Sequence, residues 1–129
     1  MNYQKIFSNT RTIAVVGLSA NPSRPSFDVA QVLQPHFRII PVNPNYTEIL
    51  GEVCYPDLQS VPEPIDMVDV FQRSENILPL VAPAIEIGVK VFWMQQGIYN
   101  AEARQLLEQA GVTVVEDRCT KVEYARLKH

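Results

Sequence analysis

Six short apolar runs separated by helix-like patterns constrain this chain more than any other feature. RTIAVVG (11–17) opens the series as a buried strand, and Gly17 ends it. SFDVAQVLQ (26–34) then places Val29, Val32 and Leu33 on one helical face, with Ser26 suited to its N-terminus. FRIIPVN (37–43) is a second strand; Pro41 cannot donate to a ladder, so irregular pairing is expected near its end. NPNY reads as a turn, the residues around Val53 to Tyr55 as a short third strand, and IDMVDVF (65–71) as a fourth. SENILPLVAPAIEIGVK is helical and closes at Gly88. Pro79 and Pro83 conflict with that pattern. One fits the first turn, and the other should kink or delay the helix, since an interior proline costs about 3 kcal/mol. VFWM (91–94) is the fifth strand, Asn100 caps AEARQLLEQA, Gly111 ends that helix, and VTVVE (112–116) is the sixth strand. Thr120 and Glu123 are spaced as a capping box for a last helix.

Strands alternating with helices imply a parallel sheet covered on both faces. The expected fold is α/β, a Rossmann-like three-layer αβα arrangement with a mostly parallel sheet of five to six strands, forming a single domain over residues 1–129. Ligands of such sheets bind at the carboxyl ends of the strands, where strand order reverses. The first and fourth strands meet there, which brings the turn after Gly17 close to Phe71 and Arg73.

Composition excludes several partners. A formal charge of −3 and the lack of a basic run argue against nucleic acid, so an anionic ligand needs locally placed cations. No apolar run approaches the roughly 20 residues of a membrane span. MNYQKIFSNT holds no apolar signal core, so a cytoplasmic location is expected. Cys54 and Cys119 make neither a disulfide framework nor a zinc cluster, and no other residues have metal-ligand spacing. Nor does a catalytic set emerge. The histidines are His36 and the terminal His129, and His36 falls at the opposite end of a strand from the expected site. Asp66 and Asp69 lie three apart within one strand, point to opposite faces, and so are no acid–base pair. Binding without chemistry is the expectation.

GLSANPSRPS (17–26) carries the ligand question. A helix N-terminus offers unpaired N–H groups and about half a positive charge to a phosphate. Ser19 and Ser26 add hydroxyls, Arg24 adds a planar cation suited to bidentate grip, and Pro22 and Pro25 limit the freedom lost on binding. The dinucleotide fingerprint G-x-G-x-x-G reads here as Gly17, Ser19 and Pro22. Between Asp28 and Glu48 there is no carboxylate to hold a ribose diol. NAD is therefore disfavoured, and an adenine nucleotide with a differently placed phosphate stays open.

VGLSANPSRPS, IIPVNP, LGEVCYPDLQSVPEPIDMVDVF, GVKVFWMQQG and EDRC, in this order and spacing, resemble the small stand-alone CoA-binding proteins with a Rossmann-like fold. The chain is similar, from about Thr12 to Leu127, to the CoA-binding domains of succinyl-CoA synthetase alpha subunits and ADP-forming acyl-CoA synthetases. The resemblance implies coenzyme A as cofactor. It also implies that Gly17, Ser19, Ala20 and Arg24 line the diphosphate, with Ser26 at the helix start. Val42, Asn43 and Pro44 would then border the adenosine part, and Phe71 and Arg73 would flank the nucleotide. Gln95, Gln96 and Gly97 would face the pantetheine arm. Arg73, Arg11 and Arg38 are alternatives for meeting the 3′-phosphate.

Cys119 stands between Arg118 and Thr120, beside a predicted helix start and Lys121, a cationic setting that permits exchange with the CoA thiol; a packed, inert cysteine is the plainer alternative. Trp93 and Tyr99 read more simply as core than as a dimer surface. Two other functional classes stay open: an NAD(P)-binding protein or oxidoreductase, and an interaction protein that binds no ligand.

Overall fold

The computed structural model describes residues 1–127. In chain order the elements are α1 (Tyr3–Ser8), β1 (Thr12–Val16), α2 (Pro25–Leu33), β2 (Arg38–Val42), β3 (Glu48–Ile49), β4 (Glu52–Val53) and β5 (Met67–Val70). They continue with α3 (Leu78–Glu86), β6 (Val91–Met94), α4 (Ala101–Gln109), β7 (Thr113–Val115) and α5 (Thr120–Ala125). The main sheet has five strands in the order β2-β1-β5-β6-β7, and every neighbouring pair is parallel. This is the α/β, Rossmann-like arrangement that the alternation implies, and β1 and β5 are adjacent at the reversal of strand order.

Both faces of the sheet are covered. One buried cluster joins Val70, Phe92 and Val114 of the strands to Val81 and Ala84 of α3 and Leu107 of α4. The other joins Val15, Met67 and Trp93 to Phe7 of α1 and to Val29 and Leu33 of α2. Strands buried on both faces lack polar alternation, which is why VFWM is apolar throughout and fully buried as a strand.

Several sequence expectations are corrected. Val32 is 39% exposed, and the buried face of α2 is Ser26, Val29, Ala30 and Leu33. At about 100° per residue, Ala30 and Leu33 fall to one side of Val29 and Val32 to the other. Pairing at Pro41 is regular: Val15 pairs with Pro41 and Val16 with Val42. Because β2 is an edge strand, the missing N–H faces outward, on the side where the Pro41 carbonyl accepts from Tyr55 N–H. The expected third strand lies off the main sheet, as an antiparallel pair of β3 and β4, and Tyr55 bridges to Val42. Asp66 sits one residue before β5 rather than within it, and its carboxylate accepts from the N–H groups of Arg11 and Thr12. Thr120 and Glu123 form no capping box: Cys119 is the cap residue, the Thr120 hydroxyl turns inward to Asp69, and Glu123 pairs with Arg126. Tyr99 is 61% exposed, whereas Trp93 is core.

The proline-containing helix starts late, at Leu78, after a 3-10 turn over Ser74–Asn76. Pro79 occupies its first turn and Pro83 lies inside it. It closes at Gly88 (φ +76°), with Val89 N–H donating to the Ala84 carbonyl and Gly88 N–H to that of Ile85. That pairing satisfies two carbonyls of the last turn and needs a left-handed residue. Residues 3–8, unassigned from sequence, form α1, which is capped by Asn2 and sets Phe7 against Phe37, Trp93 and Tyr124. His36 precedes β2 at the amino end of the sheet, its ring 5.1 Å from Tyr124; His129 lies outside the described residues. Among the described residues no helix is long and apolar enough to cross a membrane.

Candidate functional site

A cleft of about 620 Å³ opens at the carboxyl ends of β1, β5 and β6, where strand order reverses. Its near wall is the turn after β1. Gly17 leaves the strand at φ +85°, and its N–H donates to the Val42 carbonyl. A Cβ there would lie 2.3 Å from the Phe71 carbonyl oxygen, so only glycine lets the two chain crossings approach this closely. The turn organises itself before any ligand arrives. Ser19 N–H donates to Ser26 Oγ, Asn21 N–H to Ser19 Oγ, and Ser23 N–H and hydroxyl to Asn21 Oδ1.

Helix α2 starts beside this turn, with Arg24 as the cap residue and Pro25 first in the helix. Pro25 has no N–H to satisfy, and the Ser26 N–H has no partner among the described residues. Arg24 and Arg73 both line the cleft, both are exposed, and neither has a carboxylate partner among the described residues. Arg38, Lys90, Arg104, Lys121 and Arg126 are all paired. In a chain of net charge −3, uncompensated cations flanking a helix N-terminus make a local site for an anion.

The far wall comes from the loops after β6 and β7, which are laced together. Gly97 N–H donates to Asp117 Oδ1 at 2.6 Å, and Asp117 N–H donates to the Ile98 carbonyl. The indole N–H of Trp93 donates to the Arg118 carbonyl at 2.8 Å, which fixes the segment leading to Cys119. Cys119 is half-buried and lines the cleft. Cys54 is buried elsewhere, its thiol directed at the Asn43 carbonyl, and burial pushes its pKa up.

Beneath the cleft lies a polar network that the sequence reading missed. Asp69 is fully buried on β5, and its carboxylate accepts from the Gln95 amide and the Thr120 hydroxyl. Burial pushes Asp69 up to about 7, against the pull of those two hydrogen bonds. The signal was Asp69, an acid in the middle of the apolar run IDMVDVF, which a buried strand does not carry without partners.

Of the residues singled out from sequence, Gly17, Ser19, Arg24, Ser26, Phe71, Arg73, Gln95, Gln96 and Cys119 converge on this cleft. Ala20, Val42, Asn43, Pro44 and Gly97 do not line it. Val42 and Pro44 instead line an adjoining cleft of about 400 Å³ walled by Val16, Pro56, Pro79 and Pro83. Gln72, unremarked between Phe71 and Arg73, lines both clefts and so separates them. The Asn43 amide is committed to the Leu18 carbonyl, and its oxygen accepts from Asn45 N–H. Arg11 and Arg38 lie at the amino ends of β1 and β2, and Arg38 is held between Glu52 and Glu63, which leaves Arg73 on the rim. Among the described residues no cluster of three or more His, Cys, Asp or Glu is placed to hold a metal.

Comparison with known proteins identifies the chain's relatives. A family model described as a CoA binding domain matches residues 11–125. An uncharacterised protein, YneT of Bacillus subtilis, is 42% identical over 126 residues, covering 97% of this chain and 93% of that protein. An ADP-forming acetate–CoA ligase (I) of Archaeoglobus fulgidus is 25% identical over 124 residues, but this chain spans only 18% of its length. A solved structure from Thermus thermophilus superposes with a TM-score of 0.94 at 35% identity, covering 99% of this chain and 100% of that one. An acetyl-coenzyme A synthetase of Ca. Korarchaeum cryptofilum superposes at 0.75 and 25% identity, covering 88% of this chain and 26% of that one. With the family model spanning nearly its whole length, the chain belongs to the CoA-binding domain family.

Proposed function

We propose that this protein binds coenzyme A or an acyl-CoA in the cleft at the carboxyl rim, without catalysis. The observation that carries the reading is the pair Arg24 and Arg73, free of carboxylate partners, beside the α2 N-terminus in a cleft of a CoA-binding domain. The diphosphate takes Arg24 and the turn from Gly17 to Ser26, with Ala20 at its outer side. The adenosine part lies toward Val42, Asn43 and Pro44, and the pantetheine arm runs past Gln96 and Gly97 toward Cys119. Arg73 meets the 3′-phosphate. A charge-assisted hydrogen bond contributes roughly 1.5–3 kcal/mol. Two such arginines, a helix end and partial burial of adenine reach the roughly 8 kcal/mol of micromolar binding.

Thermal unfolding with CoA, acetyl-CoA, NAD, NADP and ATP tests the ligand class. A ligand at about 100 times its Kd stabilises the folded state by roughly 2.7 kcal/mol. Stabilisation by CoA or acetyl-CoA alone is expected. A response to NAD or NADP instead makes the protein a nicotinamide-nucleotide binder, and no response at all leaves an interaction protein. Within the CoA reading, Arg24→Ala weakens binding at least about tenfold, the loss of one charge-assisted bond. Unchanged affinity by calorimetry removes Arg24 as a phosphate ligand.

The same placement puts the Cys119 thiol where the arm ends. With CoA disulfide as oxidant, the Cys119 thiolate attacks one sulfur, a mixed disulfide forms, and one CoA leaves as thiolate. Intact-mass measurement after incubation with CoA disulfide is expected to show one CoA adduct, mapped to Cys119. An unmodified Cys119 contradicts this.

A further inference from the structure

The amide of Gln95 is the most constrained polar group in the cleft. The residue is only 4% exposed, yet it lines the cleft. Its nitrogen donates twice, to Asp69 Oδ1 and to Thr120 Oγ1. Thr120 in turn donates to Asp69 Oδ2 at 2.9 Å, so its hydroxyl oxygen is left as an acceptor for Gln95. The three groups therefore fix one another's direction: both amide hydrogens point down, and the hydroxyl hydrogen points at the carboxylate. Gln95 Oε1 has no partner among the described residues. Nor is it sealed in, because no fully buried side-chain oxygen or nitrogen lacks a partner. Its residual exposure is on the cleft, the surface that Gln95 lines.

We infer that Asp69, through Thr120 and the Gln95 amide, sets the hydrogen-bond polarity of the cleft floor: Gln95 Oε1 is held as a fixed acceptor that selects a donor on the bound ligand. This deepens the CoA reading and rests on it. The pantetheine arm carries secondary amide N–H groups, and free CoA also ends in a thiol, so the selected chemistry is an N–H or S–H donor. We assign the amide N–H, because an acceptor locked in place serves a group that every acyl-CoA retains. Asp69 touches no ligand; it is a positioning residue. Above about pH 7, where Asp69 is ionised, its carboxylate only accepts, so Gln95 must turn its nitrogen toward it. An asparagine in its place that keeps its one oxygen on the Thr120 hydroxyl offers its NH2 group to Gln95, which then turns its oxygen down and its own NH2 toward the cleft. The floor becomes a donor, which repels an N–H.

Calorimetry and NMR together, at a pH above about 7 where Asp69 is ionised, test this. For the wild type, CoA and acetyl-CoA are expected to bind with affinities within about threefold; a loss much larger than that with acetyl-CoA identifies S–H as the donor and overturns the amide assignment. Asp69→Asn, the same size as the natural residue, is expected to weaken both ligands about tenfold or more, the scale of leaving a buried polar pair mismatched. The reversed pair, Asp69→Asn with Gln95→Glu, puts a donor below and an acceptor toward the cleft, and is expected to recover most of that loss. A merely structural Asp69 gives no such recovery. Wild-type affinity in folded Asp69→Asn overturns the inference, as does a folded double variant that stays weak. Hydrogen exchange at the Gln95 side-chain amide gives a readout independent of CoA: slow in the wild type and fast in Asp69→Asn. Fast exchange in the wild type overturns the inference even if CoA binds, whereas slow exchange with no CoA binding overturns the functional reading alone.

Discussion

Replacing Gly17 by alanine is expected to destabilise the fold by about 3 kcal/mol or more and to abolish ligand binding in whatever folded fraction remains. Two effects add. At φ +85° a side chain costs roughly 1–2 kcal/mol against the preceding geometry. The added carbon would also lie 2.3 Å from the Phe71 carbonyl oxygen and 3.1 Å from Gln72 Nε2. The amide can swing aside, but the carbonyl cannot, because Phe71 N–H is bonded to the Val16 carbonyl at the end of the β1–β5 ladder. Relief therefore requires the ends of β1 and β5 to part, and that displaces the turn, Phe71 and Arg73 together. Gly88 is the control: it has φ +76° and nothing within 4 Å of an added Cβ, so Gly88→Ala should cost only about 1 kcal/mol. Urea unfolding of both variants separates the terms. Equal losses contradict the close approach at Gly17.

The second large effect is on the pH dependence of stability, and it comes from Asp69. Burial raises its carboxyl from an ordinary 3.8 to about 7. The folded protein therefore holds a proton that the unfolded chain has already released. Where the folded state binds more protons, stability falls as pH rises. The contribution of Asp69 is accordingly fully present below about pH 4 and lost progressively up to about pH 7, beyond which it is flat. The span corresponds to roughly 4 kcal/mol for a group with no exposure. Asp66 and Glu63 act in the opposite sense. Burial raises Asp66, but its bonds from the Arg11 and Thr12 N–H groups outweigh this, and Arg38 lowers Glu63. Their stabilisation is present at neutral pH and is lost as pH falls through their depressed values. Subtracting the profile of Asp69→Asn from that of the wild type cancels these terms. The difference is expected to move against the wild type between pH 4 and 7, and a flat difference contradicts a buried, proton-holding Asp69.

Much of this was legible because the sheet imposes strong patterns. The strands RTIAVV, IDMVDV and VFWM are apolar for a physical reason, burial on both faces, and they appear where expected. The meeting of β1 and β5 followed from the alternation alone. The errors came where a local rule met a tertiary partner. Thr120 has the spacing of a capping residue, but Asp69, 51 residues away, takes its hydroxyl. Pro41 breaks ladders in general but lies in an edge strand with its missing donor facing out. At the site, Gly17, Arg24 and Arg73 could be read from strand ends. The division into two clefts at Gln72 could not, because it depends on where a side chain turns. The Asp69, Gln95 and Thr120 network joins three distant segments, and only the out-of-place acid marked it in the sequence.

The central claim is that the cleft beside α2 recognises the diphosphate of coenzyme A through the turn at Gly17–Ser26 and Arg24. A crystal structure of the protein with CoA tests it most directly. The account predicts diphosphate oxygens within about 3 Å of the Ser26 N–H and the Arg24 guanidinium, with the arm passing over Gln95. A diphosphate bound elsewhere, with Arg24 turned to solvent and the cleft holding no part of the ligand, contradicts it.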